Sequence, residues 1–400
     1  MDDTILVINS GSSSLKFAIL SNDGDLILVE GIAEGLGSNQ GRLTIKFDGQ
    51  KHFHALPTSN HKSALIQISN WLDINESIKA DLKGIGHRIV HGGESFSASV
   101  LINDDVLTAL NKCSELAPLH SPAHLKGIEI AKSLFPTLPQ VAVFDTAFHQ
   151  TLSPEQFLYG IPAKYYQEYH FRKYGFHGTS YRYVSAKLGT INPQSLKQGV
   201  LVAHLGNGAS VCAINSAKST DTSMGLTPLD GLIMGTRSGS VDPSLLAFIA
   251  EKEQTSISDT IDILNKKSGL LGISELSNDC RKLEEAMLAG NEKAKLALDM
   301  FASRAAKQLM SAATTLDSID HIVFTGGIGE NSSYIRRKVC DNLKAFNIKI
   351  NAIKNTDMAR SEICLISDEN SSAHIWVIPT NEEKMIAIDT INLIKNEPVN

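Results

Sequence analysis

Short apolar runs that break into glycine, serine and asparagine set the rhythm of this chain. Ile5-Leu6-Val7-Ile8 runs into Asn9-Ser10-Gly11-Ser12-Ser13-Ser14 and returns through Leu15-Lys16-Phe17. Val200-Leu201-Val202-Ala203-His204-Leu205 runs into Gly206-Asn207-Gly208 and returns through Ala209-Ser210-Val211-Cys212. Each reads as a buried strand, a small polar turn and a second strand. Such turns expose backbone N–H groups and hydroxyls that hold phosphate oxygens. Two of them suggest a duplicated core that closes on a nucleotide from both sides.

The same patterning predicts the other elements. Leu43–Phe47 and Lys51–Phe53 flank Asp48-Gly49, a hairpin signal. A helix is predicted over Ser63–Leu72 and a strand over Gly84–Val90, ending at His91-Gly92-Gly93. Asn103 is placed to cap a helix with Val106, Leu107 and Leu110 on one face. Ser121-Pro122 opens another helix, since proline suits a first turn. Gln140–Phe144 reads as a short strand ending at Asp145, and a polar, aromatic stretch runs from Gln150 to Tyr174. The second glycine turn starts a new α/β set, with helices between Ile257 and Leu316. Strand Ile322–Phe324 enters Gly326-Gly327-Ile328-Gly329-Glu330-Asn331, and strand Ile375–Ile378 leads to a last helix. The expected domains are 1–148 plus 383–400, and 149–382.

The length of 400 residues suits two or three domains with full cores. A net charge of −6 argues against a nucleic-acid or membrane-surface partner, which would need a basic face. The chain has no apolar run long enough to predict a transmembrane helix, and its acidic start lacks the basic region of a signal peptide. The five cysteines are scattered and never spaced C-x-x-C. That usage predicts reduced thiols, a cytoplasmic protein and no zinc site.

Chemistry gathers where the predicted strands end, the place where α/β folds bind ligands. Arg88 could grip a carboxylate or phosphate, although a surface ion pair is the usual fate of an arginine. His87 and His91, four apart in a strand, share a face but lie too far apart to chelate a metal. Asp145 at a strand end fits a general base, a group that orients a metal, or a helix cap. His177, in the glycine-flanked turn Gly175-Phe176-His177-Gly178, is suited to donate to a phosphoryl group. Arg237 lies on what reads as a flexible loop of small residues, Met234-Gly235-Thr236-Arg237-Ser238-Gly239. Charge on such a loop can close on a transition state. The turn at Gly326 lacks both the Walker A ending and G-x-G-x-x-G spacing, and Lys16 has no Walker context. Three phosphate-type turns, two arginines, a loop histidine and a strand-end aspartate together point to phosphoryl chemistry.

At these residues the chain resembles the acetokinase family. The stretches are VINSGSSSLKF from Val7, GHRIVHGGE from Gly86, ELAPLHSPAH from Glu115, VFDTAFHQT from Val143 and KYGFHGTS from Lys173. HLGNGAS from His204, DTSMGLTPLDGLIMGTRSGSVDP from Asp221, GGIGEN from Gly326 and PTNEE from Pro379 continue it in order. The resemblance implies an α/β fold of two duplicated domains around a nucleotide cleft, in the sugar kinase, Hsp70 and actin (ribonuclease H-like) superfamily. It implies reversible, Mg2+-dependent transfer of the ATP γ-phosphoryl group to acetate, giving acetyl phosphate and ADP, with Mn2+ as an alternative metal. A cytoplasmic homodimer is also implied.

Carried over residue by residue, the resemblance places Asn9 and Glu382 at the metal, with Asp145 nearby. Lys16 would contact ATP, and Arg88 would hold the substrate carboxylate. His177 and Arg237 would stabilise the phosphoryl group in flight, completing a catalytic set of Asp145, His177, Arg237 and Arg88. His204, Leu205, Gly206, Asn207 and Gly208 would surround ATP, with Asp279, Cys280, Arg281, Gly327, Ile328, Gly329, Glu330 and Asn331. Val90, Leu119, His120, Phe176 and Pro228 would form the acyl pocket, where the β-branched Val90 favours acetate over propionate. A carboxylate nucleophile is already ionised near neutral pH, so Asp145 is not expected to be an obligatory base. Two residues depart from the family pattern: Tyr181 stands where histidine often follows GFHGTS, and Ser240 where an acidic residue often follows GTRSG. Two other readings remain: a propionate or other short-chain acyl kinase, and an ATP-driven binding module of the actin or Hsp70 type.

Overall fold

The computed structural model describes residues 3–114, 121–359 and 361–395. The chain divides into two compact units, one running to Phe148 and resuming at Asn381, the other spanning His149–Thr380. The N-terminal unit is built on strands β1 (Thr4–Ser10), β2 (Ser14–Ser21), β3 (Ile27–Glu34), β4 (Arg42–Phe47), β5 (Gln50–Ala55), β6 (Leu82–Ile89), β7 (Val100–Leu101) and β8 (Gln140–Phe144). They form one sheet in the order β5-β4-β3-β2-β1-β6-β8-β7. The first five make an antiparallel meander, while β1, β6 and β8 run parallel.

The C-terminal unit holds β9 (Gly199–Leu205), β10 (Ala209–Asn215), β11 (Lys218–Thr222), β12 (His321–Thr325), β13 (Cys364–Leu365) and β14 (His374–Val377), in the order β11-β10-β9-β12-β14-β13. Its β11-β10-β9-β12-β14 repeats the β3-β2-β1-β6-β8 layout: three antiparallel strands, then two added in parallel. The duplication suggested by the two glycine turns is therefore present in the topology, and the fold is α/β as expected.

The alternation along β1 explains its central place. Leu6 and Ile8 enter one core, with Ala64, Leu65 and Ile68 of the helix His61–Ile74 and Ile130 of the helix Ser121–Leu134. Ile5 and Val7 enter a second core with Ile386, Ala387 and Ile391 of the helix Glu382–Ile394. A strand covered on both faces is apolar at nearly every position. Asp48 and Gly49 both take positive φ, 48° and 72°, as a tight hairpin between twisted strands requires. Asn103 caps its helix by accepting from the Val106 amide at 2.8 Å.

Three local expectations shift. The first helix starts earlier than Ser63, because Asn60 caps it by accepting from the Ser63 amide at 2.9 Å. β6 stops at Ile89, so His91 lies beyond the strand and does not share a strand face with His87. His91 instead turns back, its Nδ1 accepting from the Gly93 amide at 3.0 Å. The stretch from Gln150 to Tyr174 contains short helices at Pro154–Phe157 and Lys164–Tyr169. The Arg172 guanidinium sits 3.7 Å over the Phe157 ring and ties this region together. Among the described residues no helix is long and apolar enough to cross a membrane.

Gly86 fixes how the last helix docks. A Cβ there would lie 2.5 Å from both Ile386 Cγ2 and Thr390 Oγ1. Gly86→Val should destabilise the protein by about 1–3 kcal/mol through overpacking. A denaturant midpoint equal to that of the parent protein would count against this close approach.

Candidate active site

Parallel pairing brings the ends of β1, β6 and β8 side by side, and each end contributes a polar group. Arg88 on β6 meets Asp145, which follows β8 and is anchored by its amide to Ile89 O at 3.0 Å. The pair is bidentate: Nε donates to Oδ1 at 3.1 Å and Nη2 to Oδ2 at 2.6 Å. Nη1 makes a longer contact, 3.5 Å, to Asn9 Oδ1 on β1. Glu382, first residue of the last helix, places Oε2 3.5 Å from Arg88 Nε. Burial opposes the Arg88 charge, but Asp145 and then Glu382 outweigh it and hold its pKa above the ordinary value. Burial pushes the Glu382 carboxyl well above the usual range, and Asp145 and Glu383 add to the shift while Arg88 opposes it. Lys16 is exposed on β2, directly across the hairpin from Asn9. Val90 is buried just past β6, and Leu119 and His120 lie outside the described residues.

In the C-terminal unit two glycine turns emerge together because β9 and β12 are parallel neighbours. A Cβ on Gly206 would lie 3.9 Å from the Gly327 backbone nitrogen. Gly326 takes φ +77°, and a Cβ there would come within 2.8 Å of Leu205 O. Asn278 Nδ2 donates to Asn207 Oδ1 at 3.1 Å, which draws in the segment of Asp279, Cys280 and Arg281. Asp279 caps the helix Cys280–Leu288 through the Arg281 amide at 3.0 Å and also pairs with the exposed Arg281 guanidinium. Cys280 is buried, and burial pushes its thiol up, away from reactivity. The Glu330 carboxylate is engaged within the protein, accepting from the Gly326 and Thr380 amides at 2.9 and 3.0 Å. Ile328 and Gly329 are buried, while Gly327 and Asn331 are exposed.

His177 stacks on His204 with ring centres 4.2 Å apart. His177 Nδ1 lies 2.9 Å from Ser210 Oγ, and His204 Nδ1 lies 2.8 Å from Ser180 Oγ. A Cβ on Gly208 would stand 3.4 Å from His177 Nε2 and 3.8 Å from Arg237 Nη1, so turn, imidazole and guanidinium converge. Among the described residues no carboxylate pairs with Arg237; Nη1 only approaches Pro228 O at 3.5 Å and Met234 Sδ at 3.7 Å. Burial lowers its pKa from the ordinary value. Phe176 is buried and its carbonyl faces His149 Nε2 at 2.9 Å.

The Arg237 loop is not the flexible segment its composition suggested. Gly235 N donates to Asn207 O, and Ser268, Leu270 and Leu271 amides donate to Thr236, Met234 and Gly235 carbonyls, all at 2.8 to 2.9 Å. Its small residues allow tight packing. A Cβ on Gly235 would lie 1.7 Å from Asn207 Oδ1, and one on Gly239 2.4 Å from Leu232 O. The charge is pre-positioned rather than swung in.

A sequence model of the Acetokinase family matches residues 4–388. The chain is 46% identical over 397 residues to the acetate kinase of Thermotoga maritima, covering 98% of each. It is 48% identical over 394 residues to the propionate kinase of Yersinia enterocolitica, covering 98% of this chain and 96% of that one. The crystal structure of a propionate kinase from Francisella tularensis superposes with a TM-score of 0.93 at 44% identity, over 98% of this chain and all of that one. This chain belongs to the acetokinase family. Acetokinases are ATP-using phosphotransferases with a carboxyl group as acceptor.

Several residues that shape the site were given no role by the sequence. Arg336 is fully buried and donates to Gly329 O at 2.9 Å, Glu330 O at 2.8 Å and Asn355 Oδ1 at 2.7 Å. It thereby holds the third glycine turn from behind. Ser180, Ser210 and Tyr181 support the two histidines from positions that only strand register and helix geometry bring near.

Proposed function

We propose that this acetokinase is an acetate kinase, transferring the ATP γ-phosphoryl group reversibly to acetate. The observation that carries the reading is Arg88. Asp145 occupies its Nε and Nη2, leaving Nη1, with one long contact to Asn9, to take a second carboxylate. An acetate oxygen attacks the γ-phosphorus, the bond to the β-phosphate bridging oxygen breaks, and ADP leaves with that electron pair. No proton moves, so Asp145 serves by holding Arg88 rather than as a base. The two reacting anions repel, and Arg88 and Arg237 offset that repulsion. His177 and Arg237 would donate to the equatorial oxygens, where charge is spread in the transition state. Lys16, the turns at Gly206 and Gly327, and the Asp279–Arg281 segment would cradle the nucleotide.

Mg2+ fits the oxygen donors Asn9 and Glu382, with Asp145 nearby. Among the described residues no cage of three His, Cys, Asp or Glu side chains exists. Mg2+ needs none, since it binds through one or two carboxylates and substrate phosphates. Burial, with Asp145 and Glu383 adding to it, raises the Glu382 pKa, and a bound divalent cation would favour the ionised carboxylate. When bound, the ion would neutralise phosphate charge.

Relatives bear both the acetate and the propionate name at similar identity, so the acyl wall must decide between them. The resemblance to the family assigns Val90, Leu119, His120, Phe176 and Pro228 to that wall. The β-branched Val90 leaves less room for an extra methylene than a smaller residue would. A homodimer belongs to the same reading. The helix Ser244–Glu253 buries none of its residues, exposing Leu245 and Phe248, and the adjacent helix Ile257–Lys266 exposes Ile257 and Ile261.

Trapping acyl phosphate with hydroxylamine, with ATP and Mg2+ present, should give most hydroxamate with acetate, less with propionate and none without acid. Steady ATP hydrolysis without hydroxamate would move the chain to the nucleotide-driven binding class. Arg88→Ala and Arg237→Ala should each lower turnover on the order of 10²-fold or more; parent rates would remove those assignments. Val90→Ala should raise the propionate-to-acetate ratio about tenfold, the scale of one methylene, and an unchanged ratio would refute the wall. Sedimentation should return a two-chain mass that Phe248→Glu shifts towards one chain; a monomeric parent would end the dimer reading.

A further inference from the structure

Tyr181 is one of the two residues that depart from the family pattern, and it stands one helical turn beyond His177. The Tyr181 amide donates to His177 O at 3.0 Å, opening the helix Gly178–Ile191. His177 itself takes the left-handed conformation, φ 58° and ψ 21°, at the start of that helix. Both side chains reach the same hydroxyl. Ser210, fully buried on β10, lies 2.9 Å from His177 Nδ1 and is hydrogen-bonded to the Tyr181 hydroxyl. Tyr181 is likewise fully buried, its ring edge-on to His149 and His204.

The directions of these bonds follow from counting protons. The Tyr181 hydroxyl has one hydrogen, and among the described residues its one hydrogen-bond partner is Ser210 Oγ. A buried phenol left without an acceptor would be costly, so Tyr181 donates to Ser210. Burial also keeps that phenol protonated. Ser210 has then accepted, and its own hydrogen is left for His177 Nδ1, its one other side-chain partner among the described residues. An imidazole nitrogen that accepts carries no hydrogen, so the ring proton sits on Nε2. Nε2 is the atom that stands with Arg237 Nη1 around Gly208.

We propose that Tyr181 is a positioning residue: acting through Ser210, it fixes His177 as the neutral tautomer whose Nε2–H points towards Gly208 and Arg237. This rests on the phosphoryl-transfer reading, in which that N–H donates to an equatorial oxygen of the moving group. Without the phenol, Ser210 is free to reverse and accept from Nδ1–H, which would present a lone pair to an anion instead of a donor. Stacking on His204 and the left-handed start fix the ring's plane; Tyr181 adds the choice of which nitrogen holds the hydrogen.

Nitrogen-15 NMR of imidazole-labelled protein, with the His177 signal assigned by its loss in His177→Gln, reads the tautomer directly. The parent protein should show a single neutral form at neutral pH, protonated on Nε2. Tyr181→Phe keeps the ring and removes the hydroxyl. It should populate both tautomers and lower kcat about tenfold, the scale of one net hydrogen bond, with KM for acetate and for ATP unchanged. Ser210→Ala should do the same, and the double variant should add little, because both act through one chain of bonds. A parent His177 protonated on Nδ1 overturns the proposal whatever the variants do. So does a Tyr181→Phe protein that keeps both the parent tautomer and the parent kcat. A parent with the Nε2–H form that yields no hydroxamate with any acid would instead overturn the acetate kinase reading.

Discussion

A guanidinium clamped by both oxygens of a buried carboxylate is the contact on which the polar edge of the N-terminal unit depends. Asp145 is nearly inaccessible, and Arg88 is about one-fifth exposed. A charge pair so placed gains from a low local dielectric only when nearly every donor and acceptor is satisfied. Here Asp145 satisfies Nε and Nη2, Asn9 stands at Nη1, and Glu382 adds a longer contact to Nε. The arrangement follows from topology. Parallel β1, β6 and β8 end on the same side of the sheet, so groups far apart in the chain arrive within hydrogen-bond reach. Gly86, two residues before Arg88, lets the last helix sit on β6 and carry Glu382 to the same edge.

The C-terminal unit uses the same strand layout with the opposite electrostatic logic. Where the first unit pairs Arg88, the second gives Arg237 no carboxylate among the described residues, and backbone, a methionine sulfur and the His177 imidazole stand near it. An unpaired guanidinium whose burial already works against its charge favours an incoming anion. The first arginine is therefore shaped for orientation, by fixed bidentate bonds, and the second for charge compensation. A duplicated fold supplies equivalent strand ends, and the side chains placed there divide the labour.

Much of this was legible in the chain. Short apolar runs broken by small polar turns marked the strands, Asn103 marked a helix start, and the two glycine turns marked a repeat that the topology contains. Arg88, Asp145, His177 and Arg237 stood out because each sits at a strand end or in a turn. The support behind them was not legible. Arg336 meets Asn355 nineteen positions on, and Ser210 meets His177 across thirty-three. Such pairs depend on strand register and helix phase, and no local pattern encodes them. His91 was misplaced for a related reason: β6 ends one residue earlier than its apolar run, and beyond that point alternation no longer governs side-chain direction.

Glycine was the hardest residue to read, because its absent side chain serves two opposite ends. At Gly235, Gly239 and Gly269 a Cβ would strike a carbonyl or amide oxygen at 1.7 to 2.4 Å, so glycine there permits close packing and yields a rigid loop. At Gly327 a Cβ would meet nothing within 4 Å, so packing within the unit does not require glycine there. Both kinds look alike in a sequence: Gly235 and Gly239 read as a flexible loop and Gly327 as a phosphate-type turn. The first kind fixes the Arg237 backbone, and the second leaves open space beside the Gly206 turn. A site for a phosphorylated ligand needs both, since donors must be held still while the backbone stays bare enough for oxygens to approach.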